Sequence, residues 1–297
     1  MSITVQDISE LKARTNAGLS DCKKALMEAN GDMEKAAQIL RQKGLASIAK
    51  KAGKIAAEGA VITKINENNT KAAMFELNSQ TDFVAKNEHF QNLLNQIADC
   101  ALNSNIKTLD ELKNAKLPNG ETLNDLIALK TAQIGEKLDL RRAEFMFAQE
   151  GESLGQYTHP IGSKIAVILK LKGKNEAIAK DIAMHIAAYH VQAEFLSKEE
   201  IPSEAFENEK QIEMQKEDLV GKPENIKEKI VSGRVEKILL EKVLLEQPSI
   251  KNPDKKIKDI LKENNLELIE FKRFNLGEGI ERKEVSFAEE VAAQMKA

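Results

Sequence analysis

The side chains able to do covalent chemistry are few in this chain, and their spacing is wrong for it. Of the four histidines, His185 and His190 lie five positions apart, on different faces of any helix, whereas a zinc pair on a helix needs i, i+3 or i, i+4. Cys22 and Cys100 have no partner at metal-ligand spacing and read as free thiols of a reducing compartment. Carboxylates occur everywhere, so no acid–base pair stands out. There is no phosphate-cradling glycine loop, no dinucleotide fingerprint, no Gly-x-Ser-x-Gly and no His-Glu-x-x-His. The chain is therefore not expected to be an enzyme, and no cofactor or metal is expected.

A different chemistry is available at Glu76–Asn87, where a strand runs into a helix. Thr81 or Asp82 can cap that helix. Phe83 lies seven residues before Phe90, in phase with the apolar stripe that follows, which makes it a core residue. The alternative puts a carboxylate and an aromatic ring, Asp82 and Phe83, on an exposed tip that can wedge into a partner's pocket. Periodicity alone favours the core placement.

Composition narrows the class further. The chain has 297 residues, enough for about two domains, and 42% apolar residues, which suits a globular core. Aromatic residues make up 4% and Trp is absent, against a stacking platform for single-stranded nucleic acid. The net charge of −3 lacks the positive excess of a duplex binder. The opening Met-Ser-Ile-Thr-Val-Gln-Asp has neither a basic nor an apolar signal region. No apolar run approaches membrane-spanning length. A cytoplasmic protein is expected.

The positioning elements follow from periodicity. Residues 1–57 read as three short helices and a basic linker (Lys50, Lys51, Lys54). Ser20 is placed to cap the second helix and Asp32 the third, which Gly44 ends. A hairpin follows, Val61–Ile65 and Ala72–Leu77 around an Asn-rich turn, then a helix striped by Phe90, Leu93, Leu94, Ile97, Ala98 and Ala101. A second helix spans about 122–137, and a strand covers Leu140–Ala148. The same order recurs: a hairpin in 153–173, a helix over 176–189, a helix near 256–263 and a strand over 267–274. The spacing predicts an α+β chain with a duplicated core of small antiparallel sheets, halves 58–150 and 151–201 with 249–276. Inserted at 202–248 is an antiparallel helical hairpin around Gly221-Lys222-Pro223, with a stripe of Ile226, Ile230, Val235, Ile238 and Leu239. Residues 277–297 end in a helix carrying Phe287 and Val291 on one face, started by the capping box Ser286–Glu289.

Three stretches give these elements a family likeness. Leu11–Leu26, reading Leu-Lys-Ala-Arg-Thr-Asn-Ala-Gly-Leu-Ser-Asp-Cys-Lys-Lys-Ala-Leu, is the first. Glu76–Asn87, with Thr81-Asp82-Phe83-Val84 at its centre, is the second. Gly277-Glu278-Gly279-Ile280-Glu281 followed by Phe287–Ala292 is the third. In this order they resemble the signature sequences of the elongation factor Ts family. Asn16 stands where that family usually has Gly, a mild change because Asn tolerates left-handed backbone angles. The match after His159 is looser.

The resemblance implies a guanine nucleotide exchange factor that binds the GTPase elongation factor Tu and releases its GDP during translation. It implies a ubiquitin-associated-type (UBA-like) three-helix module at the N-terminus and a coiled-coil arm at 202–248. It implies that Thr81, Asp82, Phe83 and Val84 disturb the partner's Mg²⁺ site, with further contacts from Arg14, Asn16, Ala17, Gly18, Leu19, Asp21, His159, Phe287 and Val291. A dimer or heterotetramer through the arm or core stays open, and no membrane or direct nucleic-acid partner is expected. The rival classes are an adaptor with a UBA-like module that binds without exchange, an RNA binder using Lys50, Lys51 and Lys54, and an enzyme of unknown type.

Overall fold

The computed structural model describes residues 3–15, 17–51, 53–103 and 106–281, and for 44–51 the backbone alone. The predicted C-terminal helix with Phe287 and Val291 lies outside the described residues.

Three helices come first: α1 (Val5–Thr15), α2 (Leu19–Glu28) and α3 (Met33–Lys51). They close over Leu11, Cys22, Ala25, Leu26, Ala36 and Leu40. Asp32 caps α3 as expected, its Oδ1 accepting from the N–H groups of Glu34 and Lys35 at 3.0 Å each. Ser20 does not cap α2. The helix starts two residues earlier than Ser20 would set it, with Gly18 in extended conformation at the N-cap and no side-chain cap. Burial of Ala17 in the bundle core fixes that entry point. Nor does Gly44 end α3, which runs on to Lys51. One glycine costs a helix only about 1 kcal/mol relative to alanine, too little to stop one followed by Leu-Ala-Ser-Ile-Ala.

The core is two copies of one unit. The first contains β1 (Glu58–Ile65), β2 (Lys71–Ser79), α4 (Asp82–Ala85), α5 (Glu88–Ala101), α6 (Leu109–Lys113), α7 (Leu123–Ile134) and β3 (Asp139–Phe147). The second contains β4 (Glu152–Thr158), β5 (Ile165–Lys172), α8 (Glu176–Ala188), the inserted helices α9 (Ser203–Met214) and α10 (Glu224–Glu241), α11 (Ile257–Glu263) and β6 (Glu267–Asn275). Each unit forms an antiparallel three-stranded sheet in sequence order, with its hairpin's second strand at the centre. Each has one register shift, at Glu76/Leu77 and at Lys170/Leu171, the same point in both copies.

The period-2 alternation of the central strands explains the layering. Phe75 and Leu77 of β2 face the helices α5 and α7, while Ala72 and Met74 face the other sheet. Leu169 and Leu171 of β5 face α8, while Ala166 and Ile168 face β2. Two sheets thus pack back to back with helices outside, which is why β2 is buried along its whole length. The short helix α6 escapes periodicity, though its capping box, Thr108 with Glu111, is written in the sequence. The inserted arm turns at Gly221, whose φ is 82°. Its seam is the i, i+4, i+8 row Val231, Val235 and Leu239, with Ile230 half-buried beside it; of the predicted stripe Ile230, Val235 and Leu239 belong to this core, whereas Ile226 is exposed and Ile238 lies outside it. An arm packing on one neighbour buries only a narrow row. No helix among the described residues is long and apolar enough to cross a membrane.

Candidate functional site

Beyond β2 the chain has to turn from the sheet into α5, and it does so through a one-turn helix. Four residues cannot hold helical geometry by propensity, so anchors impose it. Val84 enters the core beneath the helices. Every polar group of Thr81 is taken within the fold: its N–H donates to Glu136 Oε2 at 3.0 Å, its hydroxyl donates to Glu136 Oε1 at 2.8 Å, and its carbonyl accepts from the Ser79 hydroxyl at 2.8 Å. Thr81 therefore sits at the N-cap position of α4 without capping it through its side chain, a correction to the expected cap. On the far side, Asn87 restarts the helix by accepting from the His89 N–H at 2.8 Å.

That restart decides the placement of Phe83. With the helix broken at Lys86-Asn87, the seven-residue phase with Phe90 is lost. Val84 takes the inward direction and Phe83, about 100° round the turn, points out. Phe83 is 78% exposed, while Phe90 is fully buried. Asp82 is also exposed, its nearest partner being Lys86 at 3.5 Å. The core placement that periodicity favoured does not hold.

The tip borders a groove of about 700 Å³ lined by Asp82, Lys86, Gln91, Ile161, Gly162 and Lys164, among others. Its opposite wall is the turn after β4. The Ser163 carbonyl accepts from Val61 N–H at 2.8 Å, tying that turn to β1. His159, half-buried, precedes the turn and accepts from the Ile161 N–H through Nδ1 at 3.3 Å. Ile161 itself is 79% exposed. Ile161 thus stands free on one wall, and Phe83 stands free on the tip beside Asp82 without lining the groove; both offer apolar area that a partner can desolvate.

The N-terminal candidates are elsewhere. None of Arg14, Ala17, Gly18, Leu19 and Asp21 lines the groove. Arg14 pairs with Glu34, Ala17 is buried, and Leu19 and Asp21 are exposed on α2. Asn16, Phe287 and Val291 lie outside the described residues. His185 is a core histidine: Ile250 N–H donates to Nδ1 at 3.3 Å and Nε2 meets Gln247 Oε1 at 2.9 Å. Burial pushes its pKa down, against the Gln247 hydrogen bond. Among the described residues no group of His, Cys, Asp or Glu gathers into a metal-binding cluster.

Sequence reasoning missed Glu136 and Asn87. Asn87 carried a signal, an N-cap residue type directly ahead of the apolar stripe. Glu136 carried none, because its partner is remote in sequence. The family model described as Elongation factor TS matches residues 80–278, a span that opens at this tip.

Proposed function

This chain belongs to the elongation factor Ts family, and from that premise we propose how its tip serves the family's role, nucleotide exchange on elongation factor Tu during translation elongation. Phe83 enters an apolar pocket of the GTPase while Asp82 displaces elements that hold the partner's Mg²⁺. Val84 and Thr81 act from within, as anchors. Ile161 and His159 add contacts across the groove, and Leu19 and Asp21 of the N-terminal module (residues 1–57) bind the GTPase separately, as do Phe287 and Val291 of 277–297. The setting is the cytoplasm.

The observation that carries this reading is an aromatic ring 78% exposed on a turn anchored from both ends. A large ring held out by an anchored turn offers apolar area that a partner can bury without first ordering it. The mechanism needs no bond chemistry. Mg²⁺ demands near-ideal octahedral geometry, so a displacement of about 1 Å among its ligands loosens the nucleotide. Exchange is a coupling free energy, and coupling is reciprocal: a factor that weakens GDP binding is itself weakened by GDP.

The test is release of a fluorescent GDP analogue from elongation factor Tu with and without the protein. Phe83→Ala should slow stimulated release by about tenfold or more, as removal of an interface anchor typically does. Normal exchange by a folded Phe83→Ala protein would discredit the wedge. Binding that is indifferent to GDP, with no acceleration, would favour the adaptor reading.

A further inference from the structure

The tip's rigidity is supplied from outside its own segment. Gly135 ends α7 with φ 85°, a left-handed turn that glycine adopts without strain. The next residue, Glu136, is half-buried and reaches across to Thr81. Its two carboxylate oxygens take separate donors of that one residue, the N–H at 3.0 Å and the hydroxyl at 2.8 Å. Both bonds are charge-assisted, the stronger kind, and two of them fix orientation as well as distance.

The direction of the Thr81 side chain sets this turn apart from an ordinary cap. Thr81 occupies the N-cap position of α4, where its hydroxyl oxygen would ordinarily accept from the helix and stabilise it. Glu136 holds that hydroxyl as a donor, and α4 goes without a side-chain cap. Val84 holds the turn from within and Gln91 Nε2 donates to the Ala85 carbonyl at 2.6 Å, while the exposed Asp82–Lys86 pair contributes little. The hydroxyl points instead to the α7–β3 corner, which holds the residue just ahead of the helix. Asp82 and Phe83 are the next two residues, so their directions are set from that anchor.

We infer that Glu136 is a positioning residue for exchange: it holds Thr81 so that Asp82 and Phe83 meet the partner in one geometry. The inference rests on the wedge reading of the tip and adds to it the residue that aims the wedge. A wedge that wobbles still docks through its other contacts but is less often in the arrangement that opens the nucleotide site. The deficit therefore falls on the maximal rate of exchange and not on the concentration needed to reach it.

The experiment measures stimulated release of fluorescent GDP from elongation factor Tu as a function of the concentration of the full chain. Wild type is compared with Glu136→Ala, Thr81→Val, Thr81→Ser and Phe83→Ala. Glu136→Ala should lower the maximal rate about tenfold and move the half-saturating concentration by less than about twofold. Thr81→Val, which loses one of the two bonds, should lower the rate about threefold, and Thr81→Ser, which keeps the hydroxyl, should restore it. In a Phe83→Ala background Glu136→Ala should cost less than about twofold more, because there is no ring left to aim. A full maximal rate from folded Glu136→Ala overturns the inference, as does a loss confined to the half-saturating concentration, or a full tenfold further loss without Phe83. If circular dichroism shows Glu136→Ala unfolded, the Thr81→Val and Thr81→Ser pair decides in the same way. Failure of wild type to accelerate release at all would sink the wedge reading itself, whereas wild-type activity lost on Phe83→Ala but kept on Glu136→Ala sinks this inference alone.

Discussion

The two halves of the core make the same journey from central strand to helix by different routes. In the second half, β5 ends at Lys172 and α8 begins at Glu176, joined by Gly173, Lys174 and the N-cap Asn175. In the first half, β2 ends at Ser79 and α5 begins at Glu88, and residues 80–87 form an anchored helical turn between them. Both links end on an asparagine cap whose side chain accepts from the helix. The repeat shows that the fold needs only the short link. The extra segment in the first half is surplus to folding, and it carries the exposed Phe83.

The most severe way to break the comparison is to make the halves alike. Replacing residues 80–87 with Gly-Lys-Asn should return GDP release to its spontaneous rate. The cost to the fold is chiefly the burial of Val84, about 2 kcal/mol, or a few degrees in Tm for a chain of this size. A grafted protein that keeps its cooperative melt and still exchanges would refute the assignment of function to the surplus segment.

A second contrast lies at the register shift. The sixth residue of β2 is Glu76, opposite Arg142, and the sixth residue of β5 is Lys170, opposite Glu270: the ion pair is reversed between the halves. The environments differ more than the signs. Glu76 is 0% exposed and accepts from Arg141, Arg142, Asn78 and the Gly277 N–H. Burial alone would raise its carboxyl pKa, but these hydrogen bonds outweigh it and hold the group ionised below the usual range. Glu76→Gln should destabilise by about 2 kcal/mol, since it removes the fully buried carboxylate on which the part-buried Arg141 and Arg142 converge. Lys170→Met, whose partner is solvated, should cost less than about 1 kcal/mol. Denaturant unfolding of both variants checks the pair, and equal losses would contradict the distinction.

A last effect, confined to alkaline pH, concerns the first residue of the same strands, Lys71 in β2 and Ile165 in β5. Lys71 is buried, with Nζ donating to the carbonyls of Asn103 and Ile106 and lying over the Phe145 and Phe147 rings. Desolvation lowers its pKa to about 8 from 10.5. The unfolded chain then holds this proton more tightly than the folded one. Below pH 8 both states are protonated and the cost of the buried charge is fully present. As pH rises from about 8 to 10.5, the cost is relieved and stability rises. Wild type minus Lys71→Met should show that rise in a melt series across the window, and a flat difference would contradict it.

The sequence made the regular parts legible for a plain reason: hairpins, stripes and the duplication are local patterns with fixed periods. Where reading failed, two local rules competed or a distant residue decided. Gly44 looked like a stop, but α3 continues. The phase of Phe83 with Phe90 assumed an unbroken helix, and Asn87 breaks it. The stripe of the arm was drawn too wide because nothing local states how many neighbours a helix has. At the candidate site, Thr81–Val84 stood out at once. The support from Glu136 crosses from α7 to β2, and no spacing rule connects residues so far apart.

The buried carboxylate of Glu76 has a wider consequence. It binds the backbone of Gly277, and a Cβ on that glycine would stand 2.6 Å from the carbonyl oxygen of Ala57. The stretch that leads out of the three-helix bundle and the stretch that follows β6 therefore share one mooring. Among the described residues, the exit from the bundle and the stretch to Glu281 are thus measured from a common origin. If the modules on its two sides both grip the GTPase, as proposed, the second grip closes at the high local concentration created by the first. Cutting the mooring would lengthen the tether without touching either grip.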